Sequence, residues 1–238
     1  IAGGFIGAVL GLVGAGGAML SVPILMYGFG FDPKPATTAA LAVVLLAALS
    51  GLIPKARKKQ VLYRDAFVIW GIGSITNLGF SSIVDQIPDA VITTGFAGIL
   101  ILAGTSMLRP PKLDEQKRMP FPVLVVLSLF IGTLTGLFGI GGGFLAIPIL
   151  VLFFHTPPNK AAGTSLLIIA LNSFTAFLAK FSIWDQINWR YPLIIALAAI
   201  VIARIASKLA AQTPTVHLKR GFAFLLLCIA CFTLLTQI

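Results

Sequence analysis

The stretch FGIGGGFLAIPIL, residues Phe138 to Leu150, decides how this chain folds. It places four glycines and a proline inside a segment that is otherwise apolar enough to lie in a membrane. Such a cluster weakens a helix, because glycine adds backbone freedom and proline lacks an amide donor. A near copy, VGAGGAMLSVPIL, spans Val13 to Leu25. The two stretches therefore predict two helices that are broken at corresponding points.

The composition predicts an all-α polytopic membrane protein. The chain has 238 residues, of which 58% are hydrophobic and only 10% are charged. Its net charge of +10 would suggest nucleic acid in a soluble protein, but the basic residues lie almost wholly between apolar runs. Membrane topology accounts for basic residues in such positions, so we expect the lipid bilayer as a partner and no nucleic acid.

Six long apolar runs predict transmembrane helices. Each holds roughly 16–19 residues, close to the ~20 that span the hydrocarbon core of a bilayer. They cover residues 36–53, 66–84, 90–108, 161–179, 191–206 and 221–237. The two remaining regions, 1–31 and 121–154, are each split by a glycine cluster. The piece from Phe144 to Phe154 would rise only ~16 Å as a helix, which predicts a half-helix.

The two broken regions belong to an internal duplication. A shift of 125 residues superposes the first glycine–proline motif on the second, and one further residue aligns QVLYR (60–64) with QINWR (186–190). We therefore predict a first repeat at residues 1–108, a basic cytoplasmic linker at 109–120 and a second repeat at 121–238. Each repeat holds one broken region and three spanning helices.

The distribution of lysine and arginine favours inverted repeats. If each broken region crosses the membrane, the halves are parallel and the two sides hold eleven and six basic residues. If each broken region enters and leaves on one side, fourteen basic residues share a side and only Lys34, Lys180 and Arg190 face the other. The second arrangement obeys the positive-inside rule better. It predicts two inverted repeats, each a broken re-entrant helical hairpin plus three transmembrane helices; long tilted, broken spans are the alternative.

The glycine clusters are candidate anion sites. A glycine-rich break before a new helix offers unpaired N–H groups and the positive end of a helix dipole, and two inverted copies would meet near the midplane. The candidate residues are Gly14, Gly16, Gly17, Gly139, Gly141, Gly142 and Gly143. Close helix packing is the alternative for glycines in membranes. That alternative is our interpretation for Gly7, Gly11, Gly132 and Gly136, which recur at four-residue spacing.

A few neutral polar residues could complete an anion site. Ser165 and Asn172 share a helix face with Thr175, Thr38 lies at the start of the repeat-equivalent helix, and Asn77 interrupts the third apolar region. Neutral donors bind an oxyanion without the desolvation cost of a buried charge. Ordinary hydrogen bonding between helices is the alternative for each of them.

Catalytic and metal-binding patterns are missing from the sequence. All seven carboxylates fall in loops or at run ends, so the sequence predicts no coupling-ion site. No nucleophile–base pair or metal cluster is visible either, and we expect neither an enzyme nor a cofactor. Cys228 and Cys231 lie within the last apolar run without a second cysteine pair, and we interpret them as packing residues.

The paired motifs GAGGAMLSVPIL and GIGGGFLAIPIL resemble those of the TauE/SafE family of anion permeases, often called sulfite exporters. The resemblance covers nearly the whole chain. The family motif falls on Gly14, Gly16, Gly17 and Pro23, and on Gly139, Gly141, Gly142, Gly143 and Pro148. The first copy departs from the motif, since Ala18 stands where the third glycine would be.

The resemblance implies a secondary transporter in the cytoplasmic (inner) membrane of a prokaryote, exporting a small sulfur-containing anion. Sulfite and organosulfonates such as sulfoacetate are the implied substrates, and nothing in the residues separates them. An anion channel and a non-transporting membrane subunit are the alternatives. Whether the chain forms a homo-oligomer stays open.

Overall fold

The computed structural model describes residues 2–13, 21–22, 24–81, 89–108, 120–138, 146–147, 149–151, 156–210 and 215–235. Within these ranges the regular elements are helical. The long helices are α1 (Ala2–Val13), α2 (Pro33–Arg57), α3 (Tyr63–Ser81), α4 (Asp89–Leu108), α5 (Phe121–Phe138), α6 (Pro158–Ala179), α7 (Arg190–Ala210) and α8 (Thr215–Leu235). A π-helical turn, Ile24–Gly28, precedes α2, and a 3-10 helix, Phe181–Gln186, follows α6.

The helices begin up to six residues before the predicted spans, because polar residues form their first turns. Both α2 and α6 open on a proline, whose missing N–H and fixed φ suit the first helical position. In α3 the first turn includes Asp65, which interacts favourably with the positive end of the helix dipole. Hydropathy alone therefore places the helix starts too late.

Three helices of the described part have the length and composition of membrane spans. Among the described residues, α2, Asn159–Ala179 of α6, and α7 are each long and apolar enough to cross a bilayer. Along α7, large apolar side chains are exposed at four-residue steps, while the opposite face is buried. The exposed residues are Leu193, Leu197, Val201, Ile205 and Leu209. Such a stripe suits contact with lipid, so the chain is a multi-pass membrane protein.

The helix contacts repeat the sequence duplication. Helix α1 packs on α7, and its counterpart α5 packs on α3; α2 also contacts α7, and its counterpart α6 contacts α3. Two further pairs, α2 with α6 and α4 with α8, join equivalent helices of the two halves. The halves are therefore interleaved, since the first helix of each half packs on the third helix of the other.

Two buried serines form hydrogen bonds between α2 and α7. The Ser50 hydroxyl donates to the carbonyl of Ile200 at 2.7 Å, and the Ser207 hydroxyl donates to the carbonyl of Gly51 at 2.5 Å. Each helix thus supplies a donor to the backbone of the other. Hydrogen bonds of this kind hold membrane helices together, because lipid offers no competing partner.

The end of α2 meets the start of α6. The amide of Leu62 donates to the Thr164 hydroxyl oxygen at 3.0 Å. The carbonyl of Gln60 lies so close to Gly163 that a Cβ would not fit there. This end of the structure carries Arg57, Lys58 and Lys59, and it follows that α2 ends at the level where α6 begins.

Aromatic residues gather where α6 ends and α7 begins. The rings of Phe177 and Trp184 stack with centroids 4.3 Å apart, and Trp189 meets Phe177 edge-on. Tyr191 contacts Phe29, which precedes α2. The two ends of α2 thus differ, one basic and one aromatic, as is common for membrane–water interfaces.

Helix α2 ends in a left-handed turn that a lysine occupies. The amide of Gln60 donates to the Lys55 carbonyl at 2.9 Å, and the amide of Lys59 donates to the Ala56 carbonyl at 3.0 Å. Lys59 has a φ of 55°. This is the Schellman arrangement, in which glycine normally takes the left-handed position because a Cβ is strained there.

We expect Lys59→Gly to stabilise the protein by about 1 kcal/mol, because the strain of a left-handed lysine is removed. Thermal unfolding in detergent measures the change. Lys58→Gly is the matched control, since Lys58 has a φ of −86° and gains nothing from glycine. A Lys59→Gly protein that melts no higher than the Lys58→Gly protein would contradict the expectation.

Candidate functional site

The candidate site lies between segments that the structure does describe. Its glycines, namely Gly14, Gly16, Gly17, Gly139, Gly141, Gly142 and Gly143, fall outside the described residues, as does most of the linker. Helices α1 and α5 precede the two glycine clusters, and residues 21–29 and 146–151 follow them, with Pro23 and Pro148 also outside the described part. These flanking segments show how each cluster is held.

Helix α1 is fixed against α7 by a row of glycines. A Cβ at Gly3, Gly7 or Gly11 would collide with the backbone carbonyl of Ile195, Ala199 or Ala203, respectively. Each step of four residues along α1 matches four along α7, so the two helices run in the same direction. The packing predicted for Gly7 and Gly11 is confirmed, and such close approach is typical of small residues in membranes.

The second half repeats this interface. A Cβ at Gly132 of α5 would collide with the carbonyl of Gly73 on α3. Gly132 corresponds to Gly7 after a shift of 125 residues, and Gly73 corresponds to Ala199 after a shift of 126. Thr76 adds a hydrogen bond from its hydroxyl to the Leu129 carbonyl at 3.1 Å. The helix before each glycine cluster is therefore held rigidly by the other half.

Buried residues follow both glycine clusters, whereas Tyr27 and Phe29, further along the first segment, are exposed. Ser21 and Leu25 are buried after the first cluster, as are Ala146, Ile147 and Leu150 after the second. Irregular backbone at membrane depth is tolerated only where protein or a water-filled cavity surrounds it. The burial of both flanks meets that requirement.

Both broken regions end with the same hydrogen bond. The amide of Phe31 donates to the carbonyl of Leu25, and that of Thr156 donates to the carbonyl of Leu150, at 3.1 and 3.0 Å. These pairs are equivalent after a shift of 125 residues. In the first copy Gly30, at a φ of 68°, makes the turn that allows the bond. The geometry of the turns thus preserves the duplication seen in the sequence.

Thr38 is buried, but its hydroxyl proton already takes part in a hydrogen bond. The Thr38 hydroxyl donates to the Lys34 carbonyl at 3.0 Å within the first turns of α2. A hydroxyl has one proton to donate, so in this conformation Thr38 offers a ligand only acceptor lone pairs. Thr164 behaves similarly, donating to the Lys160 carbonyl at 2.8 Å while accepting from Leu62.

The other polar candidates differ in burial. Ser165 is fully buried on α6 and Asn172 is partly buried, whereas Thr175, on the same face, bonds to the carbonyl of Leu171 in an exposed position. Asn77 lies on α3, and its side chain is outside the described part of the structure. The face on α6 therefore runs from the protein interior to the surface.

Two cations border the apolar helices. Arg204 is exposed on α7. Lys180 caps the end of α6, and burial lowers the pKa of its amine. A third cation, Lys55, follows the predicted span 36–53 and was not among the candidate residues of the sequence. Lys55 is fully buried near the end of α2. One signal was available, because Lys55 lies 125 residues before Lys180 and so occupies the equivalent position.

The sequence of the whole chain decides the family. The family model for the sulfite exporter TauE/SafE matches residues 1–233. The chain belongs to the TauE/SafE family. Among the relatives of this TauE/SafE protein is a probable membrane transporter protein from Xylella fastidiosa, 28% identical over 98% of this chain and 92% of the relative.

Two other organisms carry similar proteins. The probable membrane transporter protein YunE of Bacillus subtilis is 28% identical over 88% of this chain and 87% of its own length. MJ0441 of Methanocaldococcus jannaschii, also named a probable membrane transporter protein, is 31% identical over 74% and 69%. No solved structure matches the chain. Family and relatives together make this TauE/SafE protein a membrane transporter, and none of their names indicates catalysis.

Proposed function

We propose that this protein exports a small sulfur-containing anion, sulfite or an organosulfonate such as sulfoacetate, across the cytoplasmic membrane of a prokaryote. The glycine-rich helix breaks would hold the anion near the midplane through backbone N–H groups. The observation that carries the proposal is the presence of buried residues after both breaks, among them Leu25 and Leu150. A helix break that continues into buried residues would offer its amides to an internal site and not to lipid.

An inverted arrangement of the halves is part of the proposal. It is supported by the contact between Leu62 and Thr164, which brings the end of α2 and the start of α6 to one level. With parallel halves and eight spans these two points would lie on opposite sides of the membrane. The distribution of basic residues, fourteen against three, supports the same arrangement.

Neutral side chains would complete the site. Ser165 and Asn172 on α6, Thr38 on α2 and Asn77 on α3 belong to the proposed substrate-binding set together with the glycines. The burial of Ser165 and Thr38 supports their inclusion. Thr38 would have to release its bond to Lys34 before donating to an anion.

Counterflow in proteoliposomes tests the proposal. Vesicles containing the purified protein and unlabelled sulfite or sulfoacetate should accumulate the labelled anion faster than empty vesicles. Saturable counterflow is expected of a carrier, whereas flux that neither saturates nor exchanges would indicate a channel. Correctly folded protein that moves none of these anions would refute transport of them and leave a non-transporting subunit.

We expect the membrane potential to drive export. An anion that leaves a negative-inside cell gains about 2.3 kcal/mol per charge for every 100 mV. An imposed potential of about 100 mV, positive on the side to which the anion moves, should therefore accelerate net flux of a monovalent anion, and reversal of the potential should slow it. Potassium gradients with valinomycin impose both signs. Flux that is indifferent to the sign would contradict this driving force.

A further inference from the structure

The amine of Lys55 has no counter-charge among the described residues. The residue is 0% exposed, and its Nζ has no hydrogen-bond partner among the described residues. The described part of the structure shows no ion pair to it either. A buried ammonium is costly unless a counter-charge and hydrogen bonds compensate it. Its burial therefore calls for a negative partner.

Two more unpaired atoms belong to the same corner of the structure. They are Oε1 of Gln60 and Oδ1 of Asn159, both buried. Gln60 donates its amide to the Lys55 carbonyl, which brings the two residues together at the end of α2. The Gln60 carbonyl lies against Gly163, one helical turn from Asn159 on α6. We call these three residues, Lys55, Gln60 and Asn159, the Lys55 corner.

The donors of the Lys55 corner outnumber its acceptors. An ammonium has three N–H groups, and none of them is bonded to the side-chain oxygen of Gln60 or Asn159, because all three atoms lack a hydrogen-bond partner. The three N–H groups and the positive charge of an ammonium are therefore uncompensated by the described residues. The start of α6 adds the positive end of a helix dipole, and Pro157 provides no side-chain cap there. Among the described residues, the corner therefore has unpaired donors without a matching negative charge.

We propose that the Lys55 corner binds a small free oxyanion, with the Lys55 ammonium as its main ligand. The amide oxygens of Gln60 and Asn159 would orient the ammonium toward the anion. The corner lies at the basic end of α2 and is separate from the glycine breaks in the sequence. Complete burial of the ammonium favours a small ion over the phosphate of a phospholipid, whose acyl chains must stay at the lipid surface. That the oxyanion contains sulfur rests on the proposed function, whereas the existence of an anion site at the Lys55 corner does not.

Calorimetric titration of the purified full chain with sulfate and with sulfite, in uncharged detergent, tests the site. Lys55→Met should weaken binding about ten- to hundred-fold, because a hydrogen bond to a charged group is lost. Lys208→Met removes the same charge from an exposed position on α7 and should bind like the wild type. Both variants are compared in the Gly141→Leu background, so that binding at the glycine breaks does not hide the change.

Two further measurements keep the test decisive. Lys55→Gln should lose binding as Lys55→Met does, and sulfate should raise the unfolding temperature of the wild type more than that of Lys55→Met, a comparison that removes the general stabilising effect of sulfate. The site is refuted if both Lys55 variants bind sulfate and sulfite normally, or if the wild type neither binds nor is stabilised. It is also refuted if only phosphatidylglycerol in nanodiscs shows a dependence on Lys55. These experiments measure binding and not flux. A protein that fails to transport anions could therefore still bind them at the Lys55 corner.

Discussion

Leucine in place of Gly7 should prevent the chain from reaching a folded, monodisperse state in detergent. A single Cβ at this position already collides with the backbone of Ala199. Backbone atoms cannot move aside as a flexible side chain can, so α1 and α7 would have to separate. Even alanine is expected to cost about 1–3 kcal/mol by overpacking. Leucine adds three more carbon atoms, at a cost comparable to the total stability of a domain, about 5–15 kcal/mol.

Gly71→Leu is the matched control for this variant. Gly71 lies on α3, is exposed, and a Cβ added to it would have no neighbouring atom within 4 Å. Its replacement should leave folding intact or stabilise the helix slightly, because glycine is a poor helix former. Size-exclusion chromatography with thermal unfolding compares the two proteins. Equal yields of monodisperse Gly7→Leu and Gly71→Leu would show that the α1–α7 interface tolerates bulk and would contradict the prediction.

Gly141→Leu should have the opposite profile, with normal assembly and no anion transport. If the second glycine cluster offers its amides to the substrate, a leucine side chain blocks the approach of the anion. We expect substrate affinity to fall at least about ten- to hundred-fold, as for the loss of a hydrogen bond to a charged group. Binding and counterflow of sulfite measure the effect.

The outcome at Gly141 separates a ligand site from helix packing. Gly71→Leu again serves as the control, since it makes the same chemical change on an exposed helix face. A Gly141→Leu protein with unchanged affinity would assign the cluster to packing, and one that fails to fold in the manner of Gly7→Leu would do the same. Loss of binding by a well-folded protein would support the proposed site.

The sequence predicted the packing glycines because their spacing has one physical meaning. Gly7, Gly11 and Gly132 recur every four residues or at the repeat distance, and helices in lipid gain stability from close approach. Which helix they approach was not predictable. Hydropathy describes the preference of a segment for lipid, whereas the pairing of α1 with α7 depends on the shapes of two distant surfaces.

The burial of Lys55 was not predicted for a related reason. Lysines at helix ends usually extend to water, and the residues that follow Lys55 are largely basic. Its burial depends on the turn that places Gln60 at the end of α2 and on the packing of the start of α6 against that turn. Likewise, the hydroxyl of Thr38 could be assigned as a donor from its residue type, but the carbonyl of Lys34 decides where the proton goes.

The interleaving of the halves bears on how such a chain could arise. A single repeat would leave the glycine face of its first helix and the small-residue face of its third without their partners. A second copy of the same repeat offers both missing surfaces, so the ancestral unit is expected to have been a homodimer. Joining the two genes would then have replaced an encounter that depends on protein concentration by one within a single chain.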